Sequence, residues 1–378
     1  MMQESSLIET YAQFPIEVEE GRGTRLRTRD GRELWDFYGG HAVALLGHSH
    51  PAVAQAVAEQ AARLTFYSNI VPIEIRRRAA DRLCAFAGAG MRKVWFCNTG
   101  GEANENALKV AIQQTGRTRV AGIIGGWHGR MLLPMAVTTD DRIRAAFERV
   151  FIDAVRVRAN RADDLAFIDE TVAAVLVEPV FSIGGIVELA GDFLAAVRRR
   201  CDEVGALLIY DEVQTGMGRL GRPFAAGEFG VMPDMVTSAK GLANGIPMGV
   251  VLMNERVASR VRQGDLGSTF GGGPVPCAAL LAVIDVIERE NLLAHAAALG
   301  RAMRAKFLTG PVCEVRGRGC LIGLRSEYPA RALQERLMTM GFVTGTSADP
   351  HVLRLMPPIN TPLSAVDELA AALTSVRL

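Results

Sequence analysis

Five short apolar runs, "KVWFC", "RVAGII", "AAVLVEP", "ALLIYDE" and "DMVTSAK", are spaced through residues 93–240 with helix-patterned segments between them. No other feature narrows the fold as much. Short runs without polar alternation suit strands buried on both faces, and their alternation with helices predicts a mostly parallel sheet covered by helices, an α/β class. A length of 378 residues is more than one simple core holds, so a smaller companion domain is expected. The expected division is an N-terminal segment over 1–48, a large domain over 49–275 and a small domain over 276–378. Within the first, "RLRTRDGRELWDF" alternates around Asp30 and Gly31 and predicts a β-hairpin over 17–38. The last carries a long amphipathic helix, the strand-like "CEVRG" and "CLIGLRS", and a closing helix "SAVDELAAALTSVR".

Ligands of open α/β sheets gather at the carboxyl ends of the strands. The runs are followed in turn by "NTGGEANE", "GGWHGR", "PVFSIGG", "DEVQTG" and Lys240. One edge therefore collects a glycine turn, an aromatic with an arginine, carboxylates and a lysine. That lysine is unusual: of 42 Lys plus Arg residues only Lys93, Lys109, Lys240 and Lys306 are lysines. Arginine keeps its proton in proteins, whereas a lysine amine can be neutralised by burial and then attack a carbonyl. Lys93, Lys109 and Lys306 sit in strand-start or charged-helix contexts that predict surface positions. Lys240 has small or apolar neighbours and a glycine turn behind it.

In "CNTGGEANENALKVAIQQTG" Gly100 and Gly101 open a helix whose free N–H groups and positive dipole end make an anion site. The same turn serves as a plain strand-to-helix connection capped by Thr99. Asp211, ending "ALLIY", needs a cation or donors if buried. A protonated pyridine nitrogen fits that need, and so does local backbone. An anion cradle, a buried Asp, an aromatic (Trp127) and an amine together describe a site for pyridoxal 5'-phosphate.

Other chemistries find less support. "GMGRLG" (Gly216, Gly218, Gly221) follows a strand like a dinucleotide fingerprint, but "RPFAAGEFG" comes after it where a helix should open. The cysteines at 84, 97, 201, 277, 313 and 320 lack Cys-x-x-Cys spacing, and "GHSHP" has no helical metal-ligand spacing, so neither disulfides nor a metal is expected. A net charge of +1 gives no case for nucleic acid or an anionic membrane. No apolar run is long enough to span a bilayer, and the polar start "MMQESSLIET" lacks the regions of a signal peptide, which predicts a cytoplasmic protein.

Nearly the whole chain resembles the class III, ornithine-type aminotransferases of the fold-type I pyridoxal-phosphate enzymes. The resemblance rests on "NTGGEANENALK", "WHGR", "DEVQTGMGRLG", "SAKGLANGIPMG", "GSTFGGGP" and "LRLMPPIN". It implies Lys240 as the Schiff-base lysine and proton shuttle, Gly100 and Gly101 as phosphate cradle, and Trp127 stacked on the ring in place of the usual Phe. It further implies Asp211 at the pyridinium, Val213 under the ring and Gln214 near the phenolic oxygen. Thr269 would reach the phosphate of a neighbouring subunit, which implies a homodimer with shared sites, while Ser268, Arg130 and Arg354 would contact substrate. Within the family "FYGGHAV", "FYSN" and "LRLMPPIN" look most like the acetylornithine and succinylornithine aminotransferases of arginine biosynthesis, which implies an N-acylornithine donor and 2-oxoglutarate as acceptor.

Three departures bear on specificity. "EPVFSIGG" has Ile183 where many members carry a glutamate that masks the arginine corresponding to Arg354. His41 stands where ornithine aminotransferases have a substrate tyrosine, which argues against free ornithine. Gly101 replaces a usual Thr or Ala, loosening the cradle without removing its donors. The alternatives are another ω-amino acid donor, of lysine-pathway or 4-aminobutyrate type, or an aminomutase on the same scaffold.

Overall fold

The computed structural model describes residues 6–88 and 90–377; the first five residues of the polar start lie outside them. Three strands open the chain: β1 (Val18–Arg22), β2 (Arg25–Thr28) and β3 (Glu33–Asp36). The expected hairpin exists between β2 and β3, with Gly31 at φ 85°, but β1 pairs with β2 as well, so the element is a meander. β1, "VEEGR", carries a single apolar side chain and no alternation, and this is why the extra pairing was not legible.

A seven-stranded sheet forms the large domain. Its first members are β4 (Met91–Cys97), β5 (Arg119–Ile123), β6 (Ala154–Val157) and β7 (Val172–Val177). The short ribbon β8 (Val180–Phe181) and β9 (Val187–Glu188) intervenes before β10 (Leu207–Asp211), β11 (Met235–Ser238) and β12 (Gly249–Asn254) complete it. The order is β4-β12-β11-β10-β7-β5-β6, with β12 antiparallel to both neighbours and the other pairings parallel. All five expected runs are strands; β6 and β12 add to them.

Side chains alternate cleanly between two cores. Ala174 and Leu176 of β7 pack with Ala103, Ala107 and Leu108 of the helix Gly100–Thr115, while Val175 and Val177 face the helix Gly191–Val204 through Phe193, Leu194 and Val197. Both faces are thus covered, as a parallel sheet requires.

The expected long helix of the last third is two helices, Pro274–Arg289 and Leu292–Lys306, broken where Asn291 turns left-handed at φ 53°. After them come β13 (Val312–Arg318), β14 (Leu321–Ser326), the helix Ala330–Thr339, β15 (Phe342–Val343), β16 (Gly345–Thr346), β17 (Val352–Leu355) and the closing helix Leu363–Ser375. The sheet β13-β14-β17-β16 is the centre of this smaller α+β part. Since β15 pairs in parallel with β3, the start of the chain is stitched to its last quarter. Among the described residues no helix is long and apolar enough to cross a membrane.

Candidate active site

Parallel strands β4, β7, β10 and β11 end at one edge, and a cavity of about 300 Å³ opens there. Lys240 enters it from the second residue after β11, with φ 45°, a left-handed conformation that costs a non-glycine residue energy and places the side chain by backbone geometry. Burial pushes its amine down to about 8, with the Arg354 and Arg219 charges helping and the Asp211 and Glu178 carboxylates opposing. Some of its surface remains accessible because the side chain lines the cavity. Asn244 secures the turn behind it, accepting from the Leu46 N–H at 2.8 Å and donating to the Gly47 carbonyl at 3.0 Å. The other lysines stand apart: Lys93 is exposed, Lys109 pairs with Glu105 and Lys306 with Asp367.

Asp211 is 3% exposed and sits in a network that spans the sheet. Its Oδ2 meets His128 Nδ1 at 2.8 Å and accepts from Asn104 Nδ2 at 2.7 Å, while its Oδ1 accepts the Val213 N–H at 3.1 Å. Thr237 donates to Asn104 Oδ1 at 2.5 Å and so orients the amide. Glu178, at the end of β7, accepts the Trp127 N–H at 2.7 Å, and burial together with Asp211 pushes its carboxyl up to about 7. Two buried acidic side chains therefore line the same cavity as the lysine and work against the effect of burial on its amine.

The cradle has a measurable tightness. Thr99 accepts the Glu102 N–H at 3.1 Å as helix cap, leaving the Gly100 and Gly101 N–H groups without intrahelical partners. A Cβ on Gly100 would lie 2.7 Å from Val213 Cγ2, whereas one on Gly101 meets nothing nearer than Met131 Cγ at 3.4 Å. Cap and candidate anion site are thus the same turn. Trp127, Val213 and Gln214 also line the cavity. Both amide atoms of Gln214, which is 5% exposed, are buried without a partner, as is His128 Nε2. Such orphans cost free energy in a filled core and make sense against a polar guest.

Outside the cavity wall, the remaining expected residues take distinct places. Arg354, on β17, is buried, donating Nε to the Thr346 carbonyl at 2.5 Å and Nη1 to Ser182 Oγ at 2.9 Å. No carboxylate lies within 4.0 Å of it among the described residues, Ile183 offers none, and burial pushes its guanidinium pKa down. His41, held against Tyr38 Oη, is pushed down to about 3 by burial and by the Lys240 and Arg354 charges, and is neutral at pH 7. Arg130 is exposed, its guanidinium 5.8 Å from the Trp127 ring centroid. Ser268 donates to Glu102 Oε1 and accepts from Asn98 Nδ2, both at 3.1 Å, close to the cradle. Thr269 is exposed and does not line this cavity. His128, Asn104 and Glu178 were not singled out in the sequence; the signal available was their adjacency to Trp127, to the cradle helix and to the strand end.

The residues present fit pyridoxal phosphate: free N–H groups for a phosphate, a carboxylate for a ring nitrogen, apolar surface for a ring, an unpartnered amide and an amine for an aldehyde. Comparison with known proteins agrees. Residues 8–376 match the aminotransferase class-III family. The chain is 35% identical to the acetylornithine aminotransferase of Bacillus subtilis (strain 168) over 99% of its length and 97% of the relative's. It is 40% identical to that of Methanopyrus kandleri, covering 97% of this chain and 95% of the relative. The ornithine aminotransferase of Toxoplasma gondii, crystallised with partial occupancy of PLP at its active site, superposes with a TM-score of 0.91 at 27% identity, covering 98% of this chain and 92% of that one. A PLP-bound amine transaminase from an uncultivated Pseudomonas species gives 0.90 at 26% identity, with 98% of each chain covered. The chain belongs to the class III aminotransferases and is a pyridoxal-phosphate-dependent enzyme of fold type I.

Proposed function

We propose that this enzyme moves the δ-amino group of N-acetylornithine or N-succinylornithine to 2-oxoglutarate, as a step of arginine biosynthesis in the cytoplasm. Relatives named acetylornithine aminotransferase, 35% and 40% identical over nearly the whole chain, support the donor. The observation that carries the substrate side is Arg354, a buried guanidinium left with neutral acceptors. A planar fork with unused donors and no counter-ion is a subsite for a carboxylate, which both the acylornithine and the oxo acid possess.

When bound, pyridoxal phosphate supplies an aldehyde and an electron-withdrawing ring. Gly100 and Gly101 would present N–H donors to its phosphate, Trp127 and Val213 would supply apolar surface for the ring, and Gln214 would donate to the phenolic oxygen. Asp211, oriented by Asn104 and His128, would hold a proton on the ring nitrogen by its charge. Lys240 Nζ, as a neutral amine, would hold the cofactor's aldehyde and, once displaced by the substrate amine and free again, would move the proton at the substrate carbon. Arg354, Ser268 and Arg130 orient the substrate. Thr269 serves the site of a second subunit, so the working unit is a homodimer.

The visible absorption of the purified enzyme tests this reading. N-acetylornithine is expected to abolish the cofactor's band and 2-oxoglutarate to restore it; a band indifferent to N-acetylornithine sends the assignment to another ω-amino donor. Lys240→Ala is expected to lose turnover by at least about 10⁴-fold while retaining cofactor. Appreciable turnover in that variant would remove Lys240 from the role.

A further inference from the structure

The glycine-rich turn "GMGRLG" lies outside the cavity described above, yet it carries Arg219, 1% exposed and among the largest fully buried side chains of the described residues. No carboxylate lies within 4.0 Å of this guanidinium among the described residues; its neighbours are backbone carbonyls. Nη1 donates to Pro357 O and lies 3.4 Å from Cys320 O, and Nη2 lies 3.4 Å from Ala42 O. The three acceptors come from three separate segments. Ala42 ends a left-handed run, Gly39 at φ 60°, Gly40 at 53°, His41 at 69° and Ala42 at 64°, which His41 and Ala42 do not adopt readily. Pro357 follows β17, which carries Arg354, and Cys320 precedes β14, which pairs with β17. The backbone of the turn is locked to the same region: Arg219 O accepts the Cys320 N–H at 2.8 Å, and a Cβ on Gly319 would stand 2.5 Å from Arg219 O.

We propose that Arg219 is a positioning residue that holds together the left-handed turn bearing His41 and Val43 and the β17 end bearing Arg354, beside the cavity that Lys240 lines. Val43 lines the cavity and His41 packs on Tyr38, so loosening the turn displaces the substrate side while leaving the cradle and Asp211 where they are. A buried cation suits this task because carbonyls from unrelated segments converge on it from several directions. The inference rests on aminotransferase chemistry in this cavity and not on which donor it uses.

Amide hydrogen exchange on the holoenzyme, compared between the native protein, Arg219→Lys and Arg219→Met, tests it. The expected result is exchange at least about tenfold faster in peptides covering 38–46 and 353–360, with the helix Glu74–Ala87 unchanged. Lysine, reaching fewer carbonyls, is expected to rescue only partly. In the same variants KM for both substrates should rise more than kcat falls, and the cofactor's absorption band should stay native. Unchanged exchange in the two segments, or a uniform rise throughout, overturns the proposal. So does failure of both variants to fold, which would mark Arg219 as a purely structural pin. An enzyme inactive toward acylornithines would defeat the proposed donor and leave the exchange comparison standing.

Discussion

Lys240 shows how one residue acquires chemistry from its surroundings. Its amine, pushed down to about 8, is half neutral there, against the ordinary value of 10.5. Only the neutral amine is a nucleophile, so covalent uptake of pyridoxal phosphate by the apoenzyme should accelerate as pH rises through about 8. Glu178 is itself pushed up to about 7 and is therefore ionised at pH 8, where its charge raises the Lys240 pKa. Glu178→Gln removes that charge, and the midpoint of the reconstitution profile should then fall below the native one. Rapid-mixing measurements across pH check this; a midpoint that stays or climbs would show that Glu178 is not coupled to the amine. Lys240 and Asp211 were legible in the sequence because rarity and a strand-end position single them out. Asn104, His128 and Glu178 were not, because each matters through a partner 24 or more residues away: Asn104 reaches the His128 carbonyl and Asp211, and Glu178 reaches the Trp127 N–H.

At the scale of elements, the junction of β4 with the helix Gly100–Thr115 depends on close approach, and its glycines are unequal. Gly100→Ala drives a methyl into Val213, whose short branched side chain has little freedom to move. Overpacking of this kind costs about 1–3 kcal/mol, so cofactor affinity should weaken about 10- to 100-fold, and Val213→Ala should recover most of it. Gly101→Ala meets ordinary contact distances and should bind cofactor within about threefold of the native enzyme. Equilibrium titration of the apo variants distinguishes the two; equal losses at both positions would refute the packing argument. Gly249, at the start of β12, is constrained by the same turn, since a Cβ there would sit 2.5 Å from Thr99 O. That strand was missed because "GVVLMN" follows a glycine turn directly and nothing local announces a reversal of direction. β6, "AVRV", was missed because four residues with a central arginine carry too little apolar pattern.

For the whole molecule, the decisive surface lies beside the loop that carries Thr269. Ile70 is 85% and Phe270 64% exposed, with Phe66, Tyr67 and Val71 open to solvent nearby, and the Phe66 and Phe270 rings stand 5.3 Å apart. Two polar residues bind this patch into one piece: Asn69 donates to the Ser268 and Gly271 carbonyls, and Arg76 to the Gly272 and Tyr67 carbonyls. Contiguous exposed apolar side chains held this firmly are what a self-complementary interface uses, and the exposed Thr269 among them would then face a second cradle. Ile70→Asp places a charge in that patch and should raise the dimer dissociation constant by at least about tenfold. Sedimentation velocity over a range of concentrations reads the assembly, and cofactor absorbance in the same cell reads the site. If Thr269 completes the partner's phosphate contact, cofactor is lost as the variant dissociates, and fresh pyridoxal phosphate fails to saturate the monomer at native concentrations. A native enzyme that sediments as a monomer, or an Ile70→Asp monomer that holds cofactor as tightly as the native protein, would mean that each chain builds its site alone.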